Sequence, residues 1–413
     1  MNYKGARLLE KRRTARNISG LDSLSFRRHR PDYIIVILIS ALLVVGAVVV
    51  YAIGPGLTNG KNLPENYFST KQLTAIALGV IGFYIAGTVP MNAWKKLQTP
   101  IIILAGLVAI LVRIIGEEIN GAHRWIQIGG FSFQAAELIK LAIVLWLASF
   151  LTRKVVDTSQ NHDKDSFIRL GSLIGLVAVV VAGLHSDLGS AAVMMAIVGI
   201  TAYTSGLPVK KLLSIGAVVA LIALIAVVST PYRRDRVSTF LNPTADCQVE
   251  GYQACQALIT IGSGGMFGKG LGRSVQAYGY LPFPENDSIF AIVGEKFGFV
   301  GAVTIVGLFW ALFRRIANIA RSAPTDYSRL LVTGILVWLS TQMIINVGAM
   351  VGLLPLKGIT LPFVSYGGTS IIFVMIAMGI VFQVSRYTDL TRGQLKNERL
   401  NDKRPTIRYS RRG

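Results

Sequence analysis

The chain has 413 residues, of which 52% are hydrophobic and only 15% charged, with a mean hydropathy of +0.54. A soluble domain of this size needs far more charge on its surface, so this composition excludes the soluble classes. The formal net charge of +21 invites a nucleic-acid reading, but the distribution of the basic residues along the chain points to a membrane instead.

In chain order, the basic segment 1–32 precedes Tyr33–Ile53, an uncharged apolar run of 21 positions. At about 1.5 Å per residue such a run crosses a hydrocarbon core of about 30 Å. It is too long for a signal-peptide core and no small-residue cleavage site follows it. Further spans are expected at Leu73–Val89, Ile101–Ile115, Ala136–Leu151, Leu170–Gly183, Ala191–Tyr203, Leu212–Val228, Ile289–Leu312, Leu330–Val351 and Ser370–Val384. The fifth and sixth are the weakest, because His185, Ser186 and Asp187 interrupt them. The expected fold is an all-α polytopic membrane protein of about ten helices. Its membrane domain runs over 33–384, between basic tails at 1–32 and 385–413.

With the N-terminus inside, the segments 1–32, 90–100, 152–169, 210–211, 314–329 and 385–413 hold 30 of the 42 Lys and Arg residues. That asymmetry places both tails in the cytoplasm. The basic tails suit an anionic inner leaflet, and no base-reading motif accompanies them. Membrane lipid, not nucleic acid, is the expected partner of this charge.

Three outer segments, 116–135, 229–288 and 352–369, are too long or too patterned to be simple connectors. In the first, Asn120-Gly121 is a turn signal, and Ile126, Ile128, Phe131 and Phe133 alternate around Gly129-Gly130. This reads as a small surface hairpin with Trp125 as an interfacial anchor. The second segment carries Cys247 and Cys255, for which a disulfide and two free thiols both stand open. It also carries the glycine run Gly262–Ser274, which lacks the ending of a nucleotide-binding loop. Its amides, with Lys269 and Arg273, could hold a pyrophosphate; a flexible linker is the plainer alternative. The third segment places two prolines and several glycines at membrane depth, where broken backbone must be buried in protein or line a wet cavity.

Charges inside spans cost roughly 2.5–3.5 kcal/mol each at mid-bilayer and so mark candidate sites. Glu137 and Lys140, three apart on one helix, share a face and can pair, either to lock helices or to line a cavity. Asp187 has no cation near it in sequence. Glu295 and Lys296 are adjacent, so they point about 100° apart and need different partners. Asp287 ends the second outer segment. The plain reading is a helix N-cap; the chemical one is a general base facing an outer cleft. No metalloprotease, serine-hydrolase or Cys/His metal motif occurs.

Taken together, four stretches are recognisable. NGAHRWIQIGGFSFQAAELIKLA, HSDLGSA, YLPFPENDSIFAIVGEKFGFVGA and NVGAMVGLLPLKGITLPFVSYGGTS resemble, in order, the signature elements of the shape, elongation, division and sporulation (SEDS) family. The resemblance implies a ten-helix glycosyltransferase of the bacterial plasma membrane that polymerises lipid II on the outer face. It also implies a class B penicillin-binding protein as partner, with other membrane proteins of the division machinery. The family's catalytic aspartate falls on Asp287, its important tryptophan on Trp125, its Glu/Lys pair on Glu137 and Lys140, and its cavity aspartate on Asp187. Phe363 and the wording around Tyr280 and Glu295 look more like the division branch than the elongation branch, implying work at the septum. Departures from the family wording are Phe283 where a glutamate is expected, with Glu285 two positions on, Ser288 for a phenylalanine, and Ala135-Ala136 for Pro-Ser.

On this reading Asp287 is the base, and Arg124, Lys140, Lys357 or Arg273 supply positive field for the leaving diphosphate. Lys269, Glu295, Ser365, Tyr366, Gly367 and Gly368 complete the expected substrate contacts. No cofactor is implied; a divalent cation could replace part of the field. Two other classes compete. A lipid II flippase needs charges reachable from both faces, and a non-catalytic scaffold would tolerate loss of Asp287.

Overall fold

The computed structural model describes residues 30–58, 63–119, 122–128, 131–156, 188–210, 212–214, 216–217, 247–248, 251–356 and 358–388. Its helices are α1 (Tyr33–Thr58), α2 (Tyr67–Thr88), α3 (Met91–Ile115), α4 (Ala135–Val156), α5 (Leu188–Thr204), α6 (Tyr252–Ser263), α7 (Ile289–Arg321), α8 (Asp326–Met350) and α9 (Gly368–Ser385). Among the described residues, all of these except α5 and α6 are long and apolar enough to cross a membrane, and α5 is a shorter apolar helix. The chain is a polytopic α-helical membrane protein. The expected span Leu170–Gly183 lies outside the described residues, as does most of Leu212–Val228. Helix α6 falls inside the segment read as a long loop; its 12 residues are too few for a span signal.

Helix α8 is the hub of the bundle, packing against α4, α5, α6, α7 and α9. Leu331, Val332, Ile335 and Trp338 on it are all buried. By contrast α1, α2 and α3 keep rows of large apolar residues exposed, such as Ile103, Leu107 and Ile114. Such rows face lipid rather than water, which is why these helices lack a polar face.

Two features set the closest approaches. On α2, a side chain at Gly79 or Gly82 would meet Met375 or Ile376 of α9 at 3.0 or 2.9 Å, and one at Gly379 would meet the Phe83 carbonyl at 2.4 Å. Small residues let these backbones touch, the usual driver of helix association where lipid is as apolar as leucine. At the end of the bundle where α1 begins, buried Asp32 pairs with Arg315 of α7, and its backbone amide donates to Ser385 Oγ at 3.1 Å.

Before α4 the chain forms a three-stranded antiparallel sheet, β1 (Glu117–Ile119), β2 (Ala122–Ile128) and β3 (Phe131–Gln134). Ile128 pairs with Phe131 and Trp125 with Gln134, so the expected hairpin is present with one further strand. Helix α4 starts directly after β3, which fixes Glu137 and Lys140 close to the sheet.

Candidate functional site

The site assembles at the opposite end of α7 from Arg315. Helix α7 begins at Ile289 and its N-cap is Ser288, so Asp287 lies one residue outside the helix and is not the cap. Ser288 does not cap with its side chain either; its hydroxyl donates to the Pro282 carbonyl at 2.9 Å. The turn that results puts Phe283 at φ 49°, with the amides of Asn286 and Ser288 both donating to its carbonyl. A left-handed phenylalanine costs energy and persists only where its surroundings over-determine it.

The amide of Gln253, on the first turn of α6, lies 3.4 Å from Asp287 Oδ2 and 3.3 Å from Ser288 Oγ. That turn is held by a Cys247–Cys255 disulfide, which settles the question the sequence left open.

Facing Asp287 is the segment 358–367. Its turn places Phe363, fully buried, at φ 65°. Gly46 of α1 makes room for it, since a side chain there would meet the Val364 carbonyl at 2.5 Å. Ser365 Oγ accepts the Leu361 amide at 2.7 Å and donates to the Asn286 carbonyl at 2.6 Å. The Tyr366 amide donates to the Glu285 carbonyl at 2.8 Å, and Gln72 of α2 donates to the Ser365 carbonyl at 3.4 Å. Asn346 of α8 donates to the carbonyls of Asp287 and Ile359 at 2.8 and 2.7 Å. A small recess between these parts is lined by Asp287, Asn346, Met350, Leu356 and Gly358.

Deeper in the bundle, Lys140 Nζ lies 2.8 Å from both Glu137 Oε1 and Gln342 Oε1, with all three side chains buried. Trp338 Nε1 donates to the same Gln342 oxygen at 2.8 Å, and the ammonium lies 5.2 Å from the Trp338 ring. Gln342 Nε2 then donates to the Thr360 carbonyl at 3.0 Å. The charge pair is therefore connected to the segment facing Asp287. Trp125 is half-buried in β2, and its sheet reaches the same place, because the Gln134 amide donates to Thr369 Oγ1 at 3.1 Å beside Gly367 and Gly368.

The glycine run does different work. Gly298, at φ 67°, breaks the helical path of α7, and the amides of Lys269 and Gly270 donate to the Glu295 and Lys296 carbonyls at 2.9 and 3.0 Å. Buried Glu295 accepts the Ser274 hydroxyl, the Val275 amide at 3.1 Å and the Lys269 ammonium at 3.5 Å, while Lys296 donates to the Leu271 carbonyl at 2.8 Å. Lys269 and Glu295 thus bind each other, with Glu295 eight positions after Asp287 and about two turns into α7. Arg273 is exposed on the same loop. Arg124 lies in β2, its side chain outside the described residues together with Asp187 and Lys357.

Four side chains join the site unannounced: Gln253, Gln342, Asn346 and Lys71. Two amides at i, i+4 in an apolar helix were a legible signal in α8. Lys71, at the start of α2, donates to the Tyr67 hydroxyl and covers that ring at 4.2 Å. Tyr366 packs edge-on against the neighbouring Phe68 at 5.4 Å. Burial, and then the charges of Tyr67 and Glu285, push the Tyr366 hydroxyl up to about 12, so it is a neutral donor at physiological pH. Among the described residues no three His, Cys, Asp or Glu side chains converge as metal ligands.

A carboxylate beside a helix start, faced by a strained turn and backed by a buried charge pair, defines a polytopic membrane protein with a site at one end of its bundle. The chain belongs to the FtsW/RodA/SpoVE family, described as cell cycle proteins, whose profile matches residues 33–390. It is 37% identical over 363 residues to the probable peptidoglycan glycosyltransferase FtsW of Saccharophagus degradans, covering 86% of this chain and 92% of the relative. It is 34% identical to stage V sporulation protein E of Bacillus subtilis, covering 88% and 100%. Among solved structures it is similar to a chain of a peptidoglycan synthase complex that coordinates polymerization and crosslinking, with TM-score 0.69, 29% identity and 87% and 99% coverage. The rod shape determining protein RodA of Thermus thermophilus superposes with TM-score 0.61 at 28% identity, with the same coverage.

Proposed function

We propose that this protein is a peptidoglycan glycosyltransferase, which polymerises lipid II into glycan strands at the outer face of the bacterial plasma membrane. The observation that carries the reading is the placement of Asp287: a half-buried carboxylate one residue outside the helix, contacted by a side-chain amide and lining a recess beside Asn346. Glycosyl transfer from a lipid diphosphate requires a base for the attacking hydroxyl and positive charge for the leaving group. Asp287 supplies the base. The Lys71 ammonium and the neutral Tyr366 hydroxyl supply donors for the diphosphate, with Arg124 and Lys357 as further sources of charge. The FtsW-like relatives favour a role in septal synthesis, and the synthase complex favours a class B penicillin-binding protein as working partner.

The test is glycan polymerisation from purified lipid II by the detergent-solubilised protein, with and without its cognate penicillin-binding protein. Polymer is expected from the wild type. Asp287→Ala and Asp287→Asn are expected to lose at least about a hundredfold in rate, the usual share of general-base catalysis, with expression and partner binding retained. Full activity in both variants would remove Asp287 from the mechanism, and an inactive wild type would favour the scaffold reading.

A further inference from the structure

Gln342 and Asn346 stand four residues apart on α8, so both amides project from one face of the helix. Each is buried, and each has a direction that its partners fix. The Gln342 oxygen faces two donors, Lys140 Nζ and Trp338 Nε1, so its nitrogen must face the Thr360 carbonyl and hydroxyl, at 3.0 and 3.2 Å. Asn346 has two carbonyls before it, those of Asp287 and Ile359, so only its nitrogen can point there. The two amides therefore grip consecutive residues of one loop segment, Ile359 and Thr360, and Asn346 reaches across to the backbone of the aspartate itself.

We propose that Gln342 and Asn346 are positioning residues for the glycosyl transfer, with Asn346 fixing Asp287 against the 358–361 segment and Gln342 holding that segment in place relative to the buried Glu137–Lys140 pair. The inference rests on the reading of Asp287 as the base. Neither amide touches the carboxylate. They act through the backbone, by setting where the start of α7 sits relative to the Phe363 turn and Ser365. The arrangement also gives the distant charge pair a role in the reaction without substrate contact. Lys140 orients Gln342, Gln342 orients Thr360, and Asn346 ties the neighbouring Ile359 to the Asp287 backbone. The Lys140–Gln342 and Gln342–Thr360 links are direct hydrogen bonds between buried groups, and a displaced partner there would leave a buried donor or acceptor unsatisfied.

The experiment measures kcat and KM for lipid II polymerisation in the full-length protein with its penicillin-binding protein, alongside melting temperature. The variants are Asn346→Leu, Asn346→Asp, Gln342→Leu, Gln342→Glu and the Gln342→Leu/Asn346→Leu pair. Asn346→Asp keeps the shape but turns an oxygen toward two carbonyls, so it carries the test should the leucine variant fail to fold. The expected result is a fall in kcat of about a hundredfold for either Asn346 variant, the scale of an ångström-sized misplacement, and about tenfold for the Gln342 variants, with KM within about twofold. The double variant loses little more than Asn346→Leu alone, because both amides act through one segment. A kcat near wild type in both Asn346 variants overturns the proposal, as does a loss confined to KM or to the folded fraction. An inactive wild type overturns the glycosyltransferase reading instead, and this one with it.

Discussion

Gln253 Nε2 lies 3.4 Å from Asp287 Oδ2, and the helix turn that carries Gln253 is clasped by the Cys247–Cys255 disulfide. A side chain in contact with the candidate base is thus positioned by a covalent link eight residues long in sequence. Replacing Gln253 by Ala removes a hydrogen bond to a charged group, worth about 1.5 kcal/mol at the weak end for so long a contact. The expected loss is about tenfold in polymerisation rate, since 1.4 kcal/mol is a factor of ten. Cys247→Ser/Cys255→Ser should show a similar loss, and combining it with Gln253→Ala should add little. Rates of the three proteins on purified lipid II check this; full additivity would mean the disulfide acts elsewhere.

The Glu137–Lys140 pair is buried on every side, so the second prediction concerns what one half does without the other. Lys140→Met leaves a buried carboxylate and Glu137→Gln a buried ammonium, each expected to destabilise by about 3–5 kcal/mol. The double variant should be less damaged than the two effects added. A double-mutant cycle on thermal unfolding measures the difference, and strict additivity would rule out the coupling.

Tyr366 yields a prediction about pH. Its hydroxyl is raised by burial and by Tyr67 and Glu285, so the folded protein holds this proton more tightly than the unfolded chain does. The contribution to stability is complete below the unfolded value of about 10 and is lost as pH rises toward about 12. Tyr366→Phe should therefore leave the shape of the neutral pH–rate profile unchanged. Above pH about 10 the variant should lose less stability than the wild type. A neutral-range inflection that disappears in Tyr366→Phe would contradict this.

Topology underlies every assignment of sidedness. With Cys247 and Cys255 removed, cysteines introduced by Thr244→Cys and Asn161→Cys should react differently with an impermeant thiol reagent in intact cells. Labelling is expected at position 244 and protection at 161. The reverse pattern would turn the Asp287 site toward the cytoplasm and end the outward-facing reading.

The helices with long uncharged runs were legible because a span needs only length and apolar content; α1, α3 and α9 begin or end within a few residues of the expected positions. Helix α6 was not, since its 12 residues carry too little periodic signal inside a long polar segment. At the site, Glu137 and Lys140 announced each other by spacing alone, whereas Lys140 and Gln342 are 202 positions apart. Nothing local in the sequence marks such a contact. Asp287 was legible as a helix-start residue, yet the cap falls on Ser288, a shift of one position that only the strained Phe283 turn explains. The glycine run illustrates the opposite failure. Its amides look available for an anion in sequence, but the break at Gly298 exposes helix carbonyls that take up those of Lys269 and Gly270.

If the substrate is the lipid-linked one proposed above, the glycine contacts between α2 and α9 bear on how it gets in. Backbone and Cβ atoms there already meet with no space for a further methyl group, so a polyprenyl tail cannot slip between these two helices from the bilayer. Nor can α9 slide along α2 without driving Phe83 into its backbone. Lys71 at the head of one helix and Tyr366 just ahead of the other are consequently carried on a single lever. Any sideways doorway for the substrate belongs to a different pair of helices, and opening it would move this lever as a whole rather than part its two arms.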